Sequence, residues 1–353
     1  MHKALKDKAK HLQQRSRELR LIVWRLKVQL KDLADKVING YSLTREEAVE
    51  LYNAPLEELK QSASKITNHF FQNTLELCCI SNGKCGRCSE DCKFCSQSRH
   101  YKTPIEETPL KTVDEFFEEA KYNADRGVHR FSIVTAGVRM SKAEIDVIAK
   151  AFKKISSELN ITCCASLGLL SEEDFQLLKD NGMERYHCNI ETSPNFFKEI
   201  CTTHTMAQKE QTIKAAQKVG LEICSGCIIG MGESIEDRVD IALELKRLNV
   251  DSAPINVLNP IAGTPLENRE VLESDEVRRT VAVFRHILPK AVLRLAGGRL
   301  LIQKYFTDLY NYGINAEITG DMLTTAGLTV ANDISAAIEN NKVLSIINPL
   351  KDK

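Results

Sequence analysis

Past residue 70 the chain alternates between short apolar or β-branched runs and longer amphipathic stretches. Strand-like runs fall near 75–81, 130–136 (RFSIVTA), 161–167 (ITCCASL), 184–190, 221–230 (LEICSGCIIG), 252–258, 291–295 and 314–318. Helical periodicity fills 113–126, 142–159, 171–181, 207–219, 235–248, 275–287 and 299–311. Eight strand signals, seven of them followed by a helix, call for parallel neighbours joined by right-handed crossovers. The expected fold class is α/β: a (β/α)8 TIM-type barrel with an N-terminal helical extension, with an open doubly wound sheet as runner-up. In a barrel, strand residues alternate between interior and helix layer, and chemistry gathers at the C-terminal ends of the strands.

Residues 36–353 are assigned to the barrel and residues 1–35 to the extension. In the extension Leu5, Leu12, Leu19, Leu26 and Leu33 recur every seven residues, Val23 and Leu30 flank that seam, and basic residues outnumber acids. This predicts a basic amphipathic helix packed on its own domain or on a partner subunit, with a membrane-surface or nucleic-acid role as the alternative. A helical hairpin is expected over 44–70, opening at the cap-like Thr44 with Glu47 three residues on.

Composition removes several classes of function. A chain of 353 residues, 43% hydrophobic and 27% charged, can bury a full core, so neither a disordered chain nor a disulfide mini-scaffold fits. Its 48 basic and 48 acidic residues cancel, so no global field points to nucleic acid. No apolar run is long enough to cross a bilayer, and the basic N-terminus lacks the uncharged apolar stretch of a secretory signal. The expected location is cytoplasmic. In that reducing compartment twelve cysteines, four of them within residues 85–95, argue for metal or redox chemistry rather than disulfides.

The segment Cys85-Gly-Arg-Cys88-Ser-Glu-Asp-Cys92-Lys-Phe-Cys95 follows the first strand, at the catalytic end of the expected barrel. Taken as four ligands it suits a closed tetrahedral zinc site. Taken as three, Cys88, Cys92 and Cys95 hold three corners of a [4Fe–4S] cube and leave one iron open. A second marker, Gly226-Cys-Ile-Ile-Gly230-Met-Gly232-Glu233 at the end of the fifth strand, supplies glycines that allow close backbone approach to a ligand. A structural zinc loop needs no such marker, so the cube is favoured.

On these motifs the chain resembles the biotin synthase family of the radical S-adenosylmethionine superfamily. The matching stretches are Asn82–Ser98 (NGKCGRCSEDCKFCSQS), Tyr101–Thr103, Ala165–Gly168, Asn189–Pro194, Thr202–Thr205, Ile223–Gly226, Pro254–Leu258, Gly263–Leu266, Arg294–Arg299 and Leu323–Thr325. They reach across about residues 36–330. The resemblance implies a sulfurtransferase that inserts sulfur into dethiobiotin to form biotin. A 5′-deoxyadenosyl radical abstracts hydrogen, and an auxiliary iron–sulfur cluster donates sulfur. It implies S-adenosyl-L-methionine and a [4Fe–4S] cluster as cofactors, and a flavodoxin or ferredoxin as electron donor. It further implies a homodimer with no nucleic-acid or membrane partner. The alternatives are a related enzyme of hydrogenase-maturation or methylornithine synthase type, and a non-catalytic barrel stabilised by zinc or a cluster.

Residue roles follow from the same resemblance. Cys88, Cys92 and Cys95 hold the first cluster, and Phe94 lies beside the adenine. Asn189 and Glu191, two apart on one strand face, hold the ribose and methionyl parts of the cofactor. Gly226 and Ile228 complete its surroundings. Lys209 stands where the family usually has an arginine, giving the cofactor carboxylate a point charge in place of a planar fork. Lys84, Asn189, Asn256, Thr324 and Thr325 match positions around dethiobiotin. The auxiliary cluster usually takes cysteines from the second, third and fifth strands and an arginine from the seventh. Cys164, Cys224 and Arg294 match, but the second strand carries Ser132, whose hydroxyl is a poor replacement for a soft thiolate. Cys78 on the neighbouring first strand is expected to restore the ligand, about 4.8 Å away across the ladder. The auxiliary cluster is then either the family's [2Fe–2S] centre or a larger one. Of the spare cysteines, Cys163, Cys188 and Cys227 have the parity of helix-facing residues, and each spare is otherwise a small buried hydrophobe, Cys85 and Cys201 included.

Overall fold

The computed structural model describes residues 30–320, 325 and 327–347. Three helices come first: α1 (Leu30–Ile38), α2 (Arg45–Tyr52) and α3 (Leu56–Phe71). Leu33, Ala34 and Val37 of α1 are buried in the main apolar core, where the helix packs on α3. This helix therefore runs across the boundary expected at residue 35. The leucine repeat upstream of residue 30 lies outside the described residues.

The strands are β1 (Thr74–Lys84), β2 (Arg130–Thr135), β3 (Thr162–Ser166), β4 (Met183–His187), β5 (Glu222–Cys224), β6 (Cys227–Ile229), β7 (Ser252–Val257), β8 (Val292–Leu295) and β9 (Ala316–Thr319). They pair in parallel in chain order, and β1 pairs with β9 to close the cylinder. The expected (β/α)8 barrel is what forms, and the β1–β9 pairing joins the two edges that an open sheet would expose. One feature differs. The fifth barrel strand is broken at Ser225 and Gly226 into β5 and β6. A side chain at Gly226 would lie 1.9 Å from the Pro254 carbonyl, so only glycine lets the break pack against β7.

Helices α4 (Val113–Ala124), α5 (Lys142–Glu158), α6 (Glu172–Asp180), α7 (Phe197–Ile200), α8 (Met206–Lys218), α9 (Ile235–Arg247) and α10 (Ser274–Ile287) cover the outside. Thr44, Thr112, Ser141, Ser171, Thr205 and Ser234 open six of the helices with reciprocal capping boxes. Each contributes about 1 kcal/mol and marks where a loop must turn into helix. The helix expected over 299–311 is instead two 3₁₀ turns, Arg299–Ile302 and Phe306–Asn311. Buried Arg299 is held by Glu317 (3.0 Å) and Asp333 (2.7 Å), which ties the first turn down before a longer helix can run. The chain then adds α11 (Val330–Glu339) and β10 (Val343–Leu344), neither foreseen. β10 pairs with the start of β1, and the next residues reach the barrel's lower end, where the Ile347 N–H donates to Glu76 (2.9 Å).

Along the strands the two faces separate cleanly. Leu77, Cys79, Phe131, Ile133, Cys163 and Ala165 belong to the apolar core outside the sheet. Cys78, Ile80, Ser132, Val134, Cys164 and Ser166 line the interior cavity. Cys188 and Cys227 lie with Cys163 in the outer core, as their parity requires.

Candidate active site

At the upper end β1 runs into a loop that closes on itself. The Cys88 N–H donates to the Gln97 carbonyl (2.8 Å) and the Arg99 N–H to the Cys88 carbonyl (2.9 Å). The Ser98 hydroxyl donates to the Glu90 carbonyl (2.6 Å). Cys88, Cys92 and Cys95 are half-buried here, while Cys85 is buried and exchanges backbone bonds with Thr108. No three of these four cysteines bring their sulfurs within 4.8 Å of one another. A lone tetrahedral ion with Zn–S bonds of about 2.3 Å would hold three sulfurs about 3.8 Å apart, closer than any three of them lie here. Burial, with Cys88 alongside, pushes the Cys95 thiol up to about 11. The hydrogen bond with Cys201, and then burial, raise Cys92 as well. Thiols that resist ionising together become thiolates only beside a compensating cation, which a cluster supplies.

Below the loop a cavity of about 340 Å³ runs down the barrel axis. Phe94, Cys95, Asn189, Glu191 and Ile228 line its upper part. Asn189 Oδ1 accepts from the Gly226 N–H (2.9 Å), which fixes its amide across the break in the fifth strand. Glu191 is left-handed, with φ of 67°. Such backbone in a non-glycine residue costs about 1–3 kcal/mol and persists where the surroundings impose it. Here the Glu191 N–H donates to the Gly226 carbonyl (3.2 Å) and its own carbonyl accepts from the Ile228 N–H (2.9 Å). The carboxylate is thereby aimed at the cavity, 3.4 Å from the ammonium of buried Lys209 on α8. Burial works against that ammonium, but Glu191 and nearby thiols hold its pKa above the usual lysine value.

Cys78, Cys164, Cys224 and Arg294 line the floor of the same cavity. Strand register pairs Ser132 with Ile80 and with Cys164, whereas Cys78 pairs with Arg130. Cys78 therefore enters one side-chain layer below Ser132, a diagonal of about 8 Å between Cα atoms at ordinary strand spacing and rise, not the sideways step of the expectation. The three thiols still share one space. Burial and the charges of Cys78 and Cys224 drive Cys164 up to about 12. Cys224 goes the other way: burial raises it, but His187, Arg294 and Arg185 together hold it at about 7.

Beneath the thiols lies a buried charge network. Glu76 accepts from Arg130 (2.9 Å), from Arg185 (3.4 Å) and from Arg294. Glu222 pairs with Arg185 at 2.8 Å and faces Arg130 at 3.6 Å. Among the described residues, three guanidiniums against two carboxylates leave one positive charge in excess, and Arg130 Nη1 has no hydrogen-bond partner. That is a floor suited to anionic thiolates and sulfide. Glu76, Arg130, Arg185 and His187 were not singled out from the sequence. The signal was present: each shares strand parity with a residue that was, namely Cys78, Ser132 and Asn189.

Other expected residues are placed differently. Lys84 pairs with Glu144 (2.6 Å) and does not line the cavity, because Glu144 at the start of α5 offers it a nearer carboxylate. Asn256 lines the cavity, but its amide straps backbone to backbone, donating to the Cys227 carbonyl (2.8 Å) and accepting from the Gly297 N–H (2.8 Å). Thr325 lines the cavity; Thr324 lies outside the described residues. The close approach expected at the glycines is made by protein. Gly226 faces the Pro254 carbonyl, and the N–H groups of Gly230, Met231 and Gly232 all donate to Glu233 (2.7, 2.8 and 3.1 Å).

Residues 84–245 match the Radical SAM superfamily, and residues 254–341 match the Biotin and Thiamin Synthesis associated domain. The chain is 47% identical over 312 residues to a biotin synthase of Brachyspira hyodysenteriae, covering 88% of this chain and 94% of the relative. It is 48% identical over 299 residues to a biotin synthase of Clostridium botulinum, covering 85% and 94%. Among solved structures, a methylornithine synthase superposes with a TM-score of 0.76 at 19% identity, covering 89% of this chain and 97% of that one. At that identity the likeness shows the fold alone.

Proposed function

The chain belongs to the biotin synthases of the radical S-adenosylmethionine superfamily, and from that premise we propose how its residues divide the reaction between them. It is a sulfurtransferase that inserts sulfur into dethiobiotin to form biotin. When bound, the [4Fe–4S] cluster with S-adenosylmethionine supplies the radical that no side chain can make, and the auxiliary cluster supplies the sulfur.

In this reading Cys88, Cys92 and Cys95 hold the first cluster at the mouth. Phe94, packed against the apolar cluster of Met231 and Leu258, gives the adenine a flat wall. Asn189 and Glu191 hold the ribose and methionyl groups, with Gly226 and Ile228 shaping the wall behind them. Lys209 turns its ammonium toward the cofactor carboxylate. Cys78, Cys164, Cys224 and Arg294 hold the auxiliary cluster, and the downward displacement of Cys78 favours a cluster larger than [2Fe–2S]. Thr325, Asn256 and Asn189 face dethiobiotin, while Lys84 stays in its ion pair with Glu144. Ile80, Val134 and Leu258 line the space between with hydrocarbon, which keeps out water and stray hydrogen donors.

One observation carries this reading: Cys95 at the mouth and Cys78, Cys164 and Cys224 at the floor open on a single cavity, of a volume typical for a small ligand. A substrate held there touches both ends of the chemistry. The hydrogenase-maturation and methylornithine alternatives share the first cluster, but the relatives at close to half identity carry the biotin synthase name. A flavodoxin or ferredoxin electron donor, a homodimer and a cytoplasmic setting complete the proposal on family resemblance. No helix among the described residues is long and apolar enough to cross a membrane.

The test is an anaerobic incubation with dethiobiotin, S-adenosylmethionine and a reductant, scoring biotin and 5′-deoxyadenosine together. Both products are expected. A chain that, after anaerobic reconstitution with iron and sulfide, still shows no iron–sulfur absorption and leaves S-adenosylmethionine intact would overturn the reading.

A further inference from the structure

Cys201 and His204 belong to a short loop after α7 that is stapled to the mouth loop. The Lys93 N–H donates to the Ile200 carbonyl (3.0 Å), and Asp91 accepts from the backbone of Thr202 (2.8 Å) and Thr203 (3.2 Å). The Thr203 hydroxyl donates to Glu90 (2.7 Å). Cys201 is 3% exposed and His204 9% exposed. Their contact is preformed: Cys201 Sγ lies 3.2 Å and 3.9 Å from the two ring nitrogens. Cys92, Cys201 and His204 each offer a donor atom within 4.8 Å of the other two, and no other such trio of His, Cys, Asp or Glu exists among the described residues.

The shorter contact is to Nδ1, and the 3.9 Å from Cys201 Sγ to Nε2 is the separation of a single ion, not of a cluster. Tetrahedral zinc with ordinary Zn–S and Zn–N bonds spaces a sulfur and a nitrogen by about 3.6 Å. The second shell is present too. Glu90, itself buried, lies 2.7 Å from His204 Nδ1, which leaves Nε2 as the coordinating nitrogen and fixes the ring.

We propose that in the cluster-free chain Cys92, Cys201 and His204 bind one divalent cation of the zinc or ferrous class, with water in the fourth position. Binding forms two metal–sulfur bonds and one metal–nitrogen bond and releases two thiol protons; nothing is oxidised or reduced. The proposal rests on the assignment of Cys92 to the mouth cluster in one respect: the shared sulfur makes the cation and the cluster mutually exclusive. Zinc held here therefore slows assembly of the [4Fe–4S] centre.

The experiment uses the full chain, stripped of iron without oxygen and titrated with Co²⁺. One equivalent is expected to give thiolate-to-cobalt and tetrahedral d–d absorption. Cys201→Ser and His204→Ala should each weaken that binding more than tenfold, and Glu90→Gln about tenfold. Cys164→Ala, at the barrel floor, should leave it unchanged. Cobalt absorption that survives both Cys201→Ser and His204→Ala, or that is absent from the parent chain, overturns the proposal. Reconstitution with iron and sulfide separates this from the family reading. Cys201→Ser is expected to regain the electron paramagnetic signal of the mouth cluster at a rate that zinc no longer slows. If that variant is slowed by zinc as much as the parent, the shared-ligand site is wrong; if the parent forms no cluster at all, it is the assignment of Cys92 to a cluster that fails.

Discussion

At the mouth, three cysteines within eight residues sit on a loop that hydrogen-bonds to itself and to residues 200–204. At the floor, Cys78, Cys164 and Cys224 come from three strands far apart in sequence, and they meet only because the barrel closes. The mouth thiols are half-buried and spread around an opening; the floor thiols are buried over a network of arginines. The difference teaches where each site's specificity is stored. Spacing within one segment defines the mouth. Parity, register and a buried charge excess define the floor.

The sharpest way to break this contrast is to remove one ligand at each end. Cys88→Ala is expected to abolish both 5′-deoxyadenosine and biotin, while iron at the floor remains. Assay of both products with iron analysis checks it, and persistent 5′-deoxyadenosine would mean that the mouth trio is not the radical centre. Cys78→Ala is expected to abolish biotin and lower the iron content yet leave cleavage of S-adenosylmethionine in place. Unchanged iron and turnover would sink the relocated ligand.

A third change tests whether the floor depends on its charges. Glu76→Gln leaves three buried guanidiniums with Glu222 as their remaining carboxylate, and a broken buried pair of this kind costs about 3–5 kcal/mol. Burial raises the Glu76 pKa, but Arg294, Arg185 and Arg130 hold it well below the usual carboxylate range. A group depressed in this way adds stability that is present above its unfolded value of 4.5 and is lost as pH falls toward the folded value. Urea unfolding should therefore show the parent weakening below about pH 4.5 and the variant weakening less. Parallel curves would show that Glu76 is not the titrating link.

The same contrast explains what was legible in advance. The barrel could be read because most crossovers repeat a local pattern: a period-two run, a cap residue and a period-3.6 run. The break at Ser225 and Gly226 could not be read, because its cause is the Pro254 carbonyl on another strand. The two 3₁₀ turns and β10 answer to Arg299, Glu317, Asp333 and Glu76, long-range ion pairs and contacts without local signature, whereas α11 carried a local start at Thr329, which accepts from the Asn332 N–H (3.2 Å). In the site, the Cys88, Cys92 and Cys95 spacing stood out at once. Glu76, Arg130 and Arg185 did not, because charge on a strand looks solvent-facing until closure turns it inward. Glu233 filled the glycine turn for a similar reason: a run of backbone N–H groups attracts an anion, and the sequence pattern does not say whose.

The smallest effect separates the cofactor half of the cavity from the substrate half. Lys209 is buried, and among the described residues its only ion pair is with Glu191 at 3.4 Å, a loose contact for an ammonium that has a ligand carboxylate to meet. Lys209→Met keeps the apolar stem and removes the charge. Losing one partly screened charge contact is worth about 1.4 kcal/mol, so the KM for S-adenosylmethionine should rise about tenfold. The KM for dethiobiotin should stay, because Lys209 approaches the mouth and not the floor. Lys209→Arg would supply the planar fork usual at this position, but its extra volume enters a packed site, and overpacking costs about 1–3 kcal/mol. That variant is therefore expected to gain no affinity over lysine. Initial rates with each substrate varied in turn check both outcomes. An equal rise in the two KM values for Lys209→Met would show that mouth and floor do not bind their ligands independently, and the division drawn between them would have to be given up.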